Sequence, residues 1–227
     1  MDLRILVTAI ICVLYLLVLL PIYIWMDRKR ESVETPGYKL VLSGIFCVLG
    51  LAAVFVHDFS IFPLLILGGL ILAMIGDYFL VFLFADEKRF ICGILAFSVT
   101  QVFYIAGMIV LSGIGIGEFI MTILVLSAIL IVVLKMKPDF GKARLPINIY
   151  TALVTLMAAK AVMMLLAGER VMTLQWMFSM GALLFWVSDM FLGINRFIKK
   201  RRIFSTLVAV CYFLGQLMIA ISVYYQQ

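Results

Sequence analysis

Eight stretches of this chain contain no Asp, Glu, Lys, Arg or His: 5–26, 40–56, 59–76, 90–117, 119–134, 145–159, 171–188 and 203–227. A helix that crosses a bilayer needs about 20 mostly apolar residues, and apolar runs of that length have few other homes. Carrying several stretches past one embedded charge gives eight helices, at roughly 3–26, 38–56, 61–84, 90–111, 118–134, 147–167, 174–195 and 203–225.

Composition closes the alternatives. Charged residues make up 13% of the 227 and hydrophobic ones 66%, with a mean hydropathy of +1.24, whereas a soluble domain carries about 25% charged residues. A soluble enzyme of this size would lack the charge to cover its surface. A disordered chain would lack the apolar and aromatic content. Barrel strands alternate polar and apolar residues, and these stretches do not. The expected fold is an all-α polytopic membrane protein, a bundle of eight transmembrane helices forming one domain over 1–227. Only short loops remain between the helices.

The net charge of +6 invites a nucleic-acid reading until the charges are located. Of 18 Lys and Arg, fifteen lie in or beside the first, third, fifth and seventh loops: Arg28, Lys29, Arg30, Lys39; Lys88, Arg89; Lys135, Lys137, Lys142, Arg144; Arg196, Lys199, Lys200, Arg201 and Arg202. The other side holds Arg4 and Arg170, and Lys160 lies inside a helix. Cytoplasmic loops collect Lys and Arg, so the odd loops are expected inside and both termini outside. Such a face suits anionic membrane lipids, and no nucleic-acid partner is needed. The run from Ile5 to Met26 exceeds a signal-peptide core and no small-residue cleavage site follows it, so it is kept as the first helix. Cys12, Cys47, Cys92 and Cys211 lie in apolar helices without a Cys-x-x-Cys pair and read as small core residues.

The chain echoes itself once. Gly76-Asp77-Tyr78-Phe79-Leu80 in the third helix and Ser188-Asp189-Met190-Phe191-Leu192 in the seventh both read small–Asp–x–Phe–Leu. In each case the next helix carries a Tyr and a Gln: Gln101 with Tyr104, then Tyr212 with Gln216. A parallel repeat of four helices plus four gives this pattern. On that reading helices three and seven pack together, with both acids facing one cavity.

Asp77 and Asp189 are the two acids embedded in apolar sequence. Each costs about 2.5–3.5 kcal/mol at a membrane centre, so each must face protein or water. At 1.5 Å per residue they lie about 12 and 9 Å from the basic ends of their helices. Ala73 and Gly69 precede Asp77 at helical spacing, and Gly181, Ala182 and Gly193 surround Asp189, so close helix approach is expected to turn both acids inward. Their structural alternative is interhelical hydrogen bonding alone. Lys160 has the opposite balance. Leu153, Leu156, Met157 and Met164 surround it, and from about 10 Å inside the outer end it is expected to snorkel outward rather than to catalyse.

Asn148, Thr151 and Thr155 form a polar stripe on the sixth helix beside Tyr150. With Gln101, Tyr104, Tyr212 and Gln216 they converge on the basic half of the bundle, where a polar pocket is plausible and interhelical bonding is the alternative. One histidine, His57, and scattered cysteines cannot supply a zinc site's three or four ligands. No Gly-x-Ser-x-Gly elbow or Walker loop is present. Met74 stands where an intramembrane aspartyl protease would need glycine, and no Pro-Ala-Leu motif occurs.

From about Lys39 to Ser222 the chain resembles the YhhN family, the membrane lysoplasmalogenases. The segment Gly181-Ala182-Leu183-Leu184-Phe185-Trp186-Val187-Ser188-Asp189-Met190-Phe191-Leu192-Gly193-Ile194-Asn195-Arg196-Phe197 is similar to the family's Gly-Ala-x-x-Phe-x-x-Ser-Asp-x-x-Leu-x-x-Asn-x-Phe signature. Gly76-Asp77 resembles its other acidic motif, and Phe90, Gly93, Phe97 and Tyr104 its fourth-helix pattern. Tyr212 and Gln216 fit its last helix. Gln101 departs from the family's usual His, and Leu40 from a common Pro; a glutamine cannot shuttle protons as a histidine can.

The resemblance implies hydrolysis of the vinyl ether bond of a lysoplasmalogen, releasing a fatty aldehyde and a glycerophospho-base. Such a bond opens when its β-carbon is protonated; the oxocarbenium ion then takes up water and the hemiacetal collapses. The reaction calls for one protonated carboxyl and one carboxylate. Two neighbouring acids in a low dielectric divide these roles, as glycosidases do around a similar cation. The candidate site is therefore Asp77 and Asp189 as reacting acids, with Lys39, Gln101, Tyr104, Asn148, Tyr150, Ser188, Asn195, Arg196, Tyr212 and Gln216 around a lysophospholipid, and no metal or cofactor. Lys39, Asn195 and Arg196 would meet the headgroup or simply anchor the interface. Two other readings stay open: a small proton-coupled transporter, and a catalytically silent lysolipid-binding protein.

Overall fold

The computed structural model describes residues 10–29, 36–82, 86–166 and 173–226, and these are helical throughout apart from short turns, with no strand. Helix α1 runs over 10–29 and contains a π-helical stretch, Tyr15–Leu19. It is followed by α2 (Pro36–Val56), α3 (Ile61–Leu80), α4 (Glu87–Ser112), α5 (Ile116–Met136) and α6 (Arg144–Leu166). Helix α7 (Thr173–Gly193) continues into a π turn, Ile194–Ile198, and α8 (Arg202–Ser222) ends in a 3-10 turn, Val223–Tyr225. Helices α2 to α8 are long and apolar enough to cross a membrane, and α1 contributes a shorter apolar stretch, Ile10–Met26. The protein is an all-helical polytopic membrane bundle. Arg4, Arg30, Arg170 and Gln227 lie outside the described residues.

Two helices start earlier than their apolar runs suggest, for local reasons. Asp86 caps α4, its carboxylate accepting from the amides of Lys88 (2.9 Å) and Arg89 (3.2 Å), so three charged residues join the first turn. Helix α6 begins at Arg144 because Pro146 falls in the first turn, where its missing N–H costs no hydrogen bond.

The most extensive interfaces join α3 to α4 and α7 to α8. Helix α2 packs on α3 and α6 on α7; α4 then meets α6 and α2 meets α8, which closes six helices into a ring. Helix α5 lies against α6, and α1 against α8 and α2. Advancing every helix by four carries α2–α3–α4 onto α6–α7–α8, and the α4–α6 contact onto α8–α2, so the packing follows the four-plus-four pattern.

One expectation is corrected. Helices α3 and α7 share no extended interface; they face each other across the ring, meeting through interior side chains such as Phe62 and Phe178, whose rings are 6.1 Å apart. The small residues bring sequence neighbours together instead. A Cβ on Gly69 would sit 2.3 Å from the Tyr104 ring and one on Gly76 2.6 Å from the Phe97 ring, while one on Gly181 would sit 2.7 Å from the Gly215 carbonyl oxygen. Glycine is therefore required where α3 receives the aromatics of α4 and where the backbones of α7 and α8 cross.

Helix α5 has only two buried residues, and both are polar: Glu118 and Thr122. Its Ile123, Leu124 and Leu134 are 64–65% exposed. This inverts the soluble pattern, in which the apolar face is the covered one. Hydrocarbon is the environment such a surface suits.

Candidate functional site

Asp77 sits on α3 at 1% exposure, and three side chains from two other helices converge on its carboxylate. The Lys39 ammonium lies 3.0 Å away. Ser43, one turn along α2 from Lys39, donates its hydroxyl to the same group. The Tyr212 hydroxyl donates from α8 at 2.6 Å. Lys39 is thus turned inward, its ammonium 5.9 Å from the centre of the Tyr212 ring, rather than standing at an open interface. Ser43 was missed by the sequence reading, although its spacing of four from Lys39 puts both on one helical face.

Asp189 on α7 has different company. It accepts one hydrogen bond, from the Tyr150 hydroxyl on α6 at 2.5 Å. It also lines a small, partly open cavity between α4, α6 and α7. The remaining lining is largely apolar, with Phe90, Ile94, Val154 and Met190, and Arg196 contributes a cation. The wider π turn carries Arg196, whose guanidinium lies 5.5 Å from the Phe90 ring centre and 5.4 Å from that of Phe197. A carboxyl, a phenol and a guanidinium thus line an otherwise oily slot.

A single ring joins the two acids' surroundings. Phe97 packs against Tyr212 at 5.9 Å and against Tyr150 at 6.5 Å, so both Asp–Tyr pairs border the same ring. The acids share no hydrogen-bond partner among the described residues. One turn further along α4 and α8 lie Gln101, Tyr104 and Gln216, all fully buried. The Tyr104 hydroxyl donates to Gln216 Oε1 at 2.6 Å. These two residues are 112 positions apart, the same interval that separates Asp77 from Asp189.

Other expected residues lie elsewhere. Asn148 is exposed: two residues from Tyr150, it points about 200° away around the helix. Thr151 lines the cavity, and Thr155 accepts from the Trp186 indole at 3.4 Å. Ser188 donates to the Val208 carbonyl (3.1 Å), tying α7 to α8. Asn195 is likewise committed, donating to Ser205 Oγ (3.1 Å) and accepting from the Arg201 amide (2.9 Å) across the α7–α8 turn. Lys160 does not snorkel. It is buried, 3.0 Å from Glu118 and donating to the Gly113 carbonyl at 2.5 Å, because an acid stands on the neighbouring helix within reach. The cysteines are free; Cys12 and Cys47 pack against the core, Cys211 is partly buried and Cys92 is exposed.

The YhhN family model matches residues 36–223. The human protein lysoplasmalogenase TMEM86A is 29% identical over 162 residues, which cover 68% of this chain and 62% of that protein. The chain thus matches less than two thirds of this relative's length. No solved structure matches.

Proposed function

The chain belongs to the YhhN family, and on that premise we propose that it is an intramembrane hydrolase that opens the vinyl ether bond of lysoplasmalogens, with Asp189 as the proton donor. The observation that carries this assignment is the asymmetry of the two acids. Asp77, fixed by an ammonium and two hydroxyls, is built as a carboxylate. Asp189, with one phenolic donor and a largely apolar cavity in front of it, is the one that can hold and release a proton. The name of the human relative, a lysoplasmalogenase, supports the same substrate class.

In this mechanism the lipid tail enters the apolar slot and its phosphate stays near Arg196. The Asp189 carboxyl gives its proton to the β-carbon, whose new C–H bond uses the π electrons of the vinyl ether. Positive charge then spreads over the α-carbon and the ether oxygen. Water adds to the α-carbon and returns a proton to the Asp189 carboxylate. The hemiacetal collapses to aldehyde and glycerol hydroxyl, so one water is consumed and Asp189 is regenerated. Asp77 contributes a fixed carboxylate and orients Tyr212, which packs on Phe97.

The test is release of free aldehyde from a lysoplasmenyl lipid by the purified protein. Asp189→Asn is expected to lower that rate by about 10²-fold or more, the scale of general acid catalysis. A chelator should leave the rate unchanged, and acyl lysophospholipids should survive, since an ester has no electron-rich vinyl carbon to protonate. Proton-dependent solute flux without aldehyde would favour the carrier reading, which the four-plus-four packing also suits. Lysolipid binding without aldehyde would favour the silent binder.

A further inference from the structure

Gln101 is fully buried, yet no protein donor reaches its Oε1. A primary amide offers two donors and a two-lone-pair acceptor, and burying it unpaired is costly. A residue serving as interhelical glue would have spent those groups on another helix. Gln101 instead lies one turn along α4 from Phe97, the ring that touches both Tyr150 and Tyr212. Its amide approaches the Tyr150 hydroxyl at the edge of hydrogen-bonding range, and that hydroxyl gives its own proton to Asp189, so the Gln101 Oε1 is left without a donor. On α8, one turn beyond Tyr212, Gln216 keeps its Nε2 unpaired while Tyr104 holds its Oε1. The layer next to the acids is therefore lined by uncommitted amide groups.

We propose that Gln101 is a positioning residue for the hydrolytic water, an inference that rests on the vinyl ether reading above. Its Oε1 accepts one hydrogen of the water, and the Asp189 carboxylate takes the other as the water oxygen bonds to the α-carbon. An amide neither gives up nor takes a proton in this step. Its contribution falls on capture of the oxocarbenium ion and leaves the preceding protonation alone.

That separation has a chemical signature. When capture is slow, the oxocarbenium ion returns a hydrogen from its β-carbon to the Asp189 carboxylate, and the vinyl ether re-forms with no carbon–oxygen bond broken and no water consumed. In D₂O the carboxyl delivers deuterium, so each return that removes protium leaves a deuterium on the β-carbon of intact substrate.

The experiment compares the full chain with Gln101→Met and Gln101→Leu in D₂O, using a lysoplasmenyl lipid and mass spectrometry of both the aldehyde and the recovered substrate. Both variants are expected to release aldehyde about tenfold more slowly or worse, the scale of a misplaced reactant. Deuterium in the recovered substrate, per aldehyde released, should rise by a similar factor. Their thermal stability should stay close to the parent's, since the Oε1 has no protein partner to lose. Unchanged hydrolysis would overturn the proposal, and so would loss of hydrolysis and exchange together. A marked fall in stability in both variants would assign Gln101 to core packing instead. Absence of aldehyde from the parent protein would overturn the vinyl ether reading itself and the inference with it.

Discussion

Asp77 and Asp189 occupy matching motifs, yet the side chains that reach them make them chemically different. Asp77→Asn would leave the Lys39 ammonium facing an amide, and breaking a buried ion pair in this way costs about 3–5 kcal/mol. We expect a clear fall in thermal stability in detergent and a loss of aldehyde release. Adding Lys39→Met should restore most of the stability but not the rate; full activity in that double variant would reduce Asp77 to structural glue. Asp189→Asn should unfold at the parent's temperature, because an amide oxygen still accepts from Tyr150. The acids were legible in the sequence because charge is so expensive in hydrocarbon, and Tyr150 and Tyr212 were legible as polar groups at the same depth. Their partners were not. Whether Lys39 meets a headgroup or Asp77, and whether Ser188 faces a cavity or the Val208 carbonyl, depends on how neighbouring helices are rotated, which apolar runs leave unspecified.

At the scale of elements, length and hydropathy located every described helix, because the bilayer sets both. The reading failed at the ends, where caps decide, and at Lys160, whose neighbours on its own helix are apolar while its partner Glu118 stands on α5. That pair and the Gly113 carbonyl tie the α4–α5 turn to α6. Lys160→Met alone strands a buried carboxylate and should cost about 3–5 kcal/mol, measurable by thermal unfolding. With Glu118→Gln added, most of the loss should return, and aldehyde release should hold in both variants because the pair lies at the end of the bundle away from Asp77 and Asp189. The α7–α8 crossing behaves differently. Gly181→Ala drives a methyl against the Gly215 carbonyl, so it should lower stability and also impair aldehyde release, by moving the helix that carries Asp189. Gly44→Ala, with nothing within 4 Å of the new methyl, is the matched control and should change neither.

For the whole molecule, the helix contacts of α2–α3–α4 recur in α6–α7–α8, while the surroundings of the two acids differ. One acid is sealed by Lys39 and the other opens on a cavity with Arg196. The side chains that reach the two acids differ: Lys39 and Ser43 on α2 and Tyr212 on α8 hold Asp77, and Tyr150 on α6 holds Asp189. Orientation in the membrane follows from where the charges fall. In the sequence fifteen of the 18 Lys and Arg lie in or beside the odd-numbered loops, and those loops should face the cytoplasm, putting the Asp189 cavity within reach of lipids of the inner leaflet. Helix α1 decides the N-terminus. Its apolar stretch among the described residues, Ile10–Met26, extends about 25 Å at 1.5 Å per residue, shorter than the roughly 30 Å hydrocarbon core. If α1 crosses together with α2 to α8, both termini are expected outside. A reporter fused after Gln227 and one fused before Met1 should each register the extracytoplasmic side, and one inserted in 137–142 the cytoplasm. An N-terminal reporter in the cytoplasm with the other two unchanged would mean that α1 lies along the membrane instead of crossing it. A cytoplasmic signal after Gln227 would reverse the bundle and move the proposed site to the opposite leaflet.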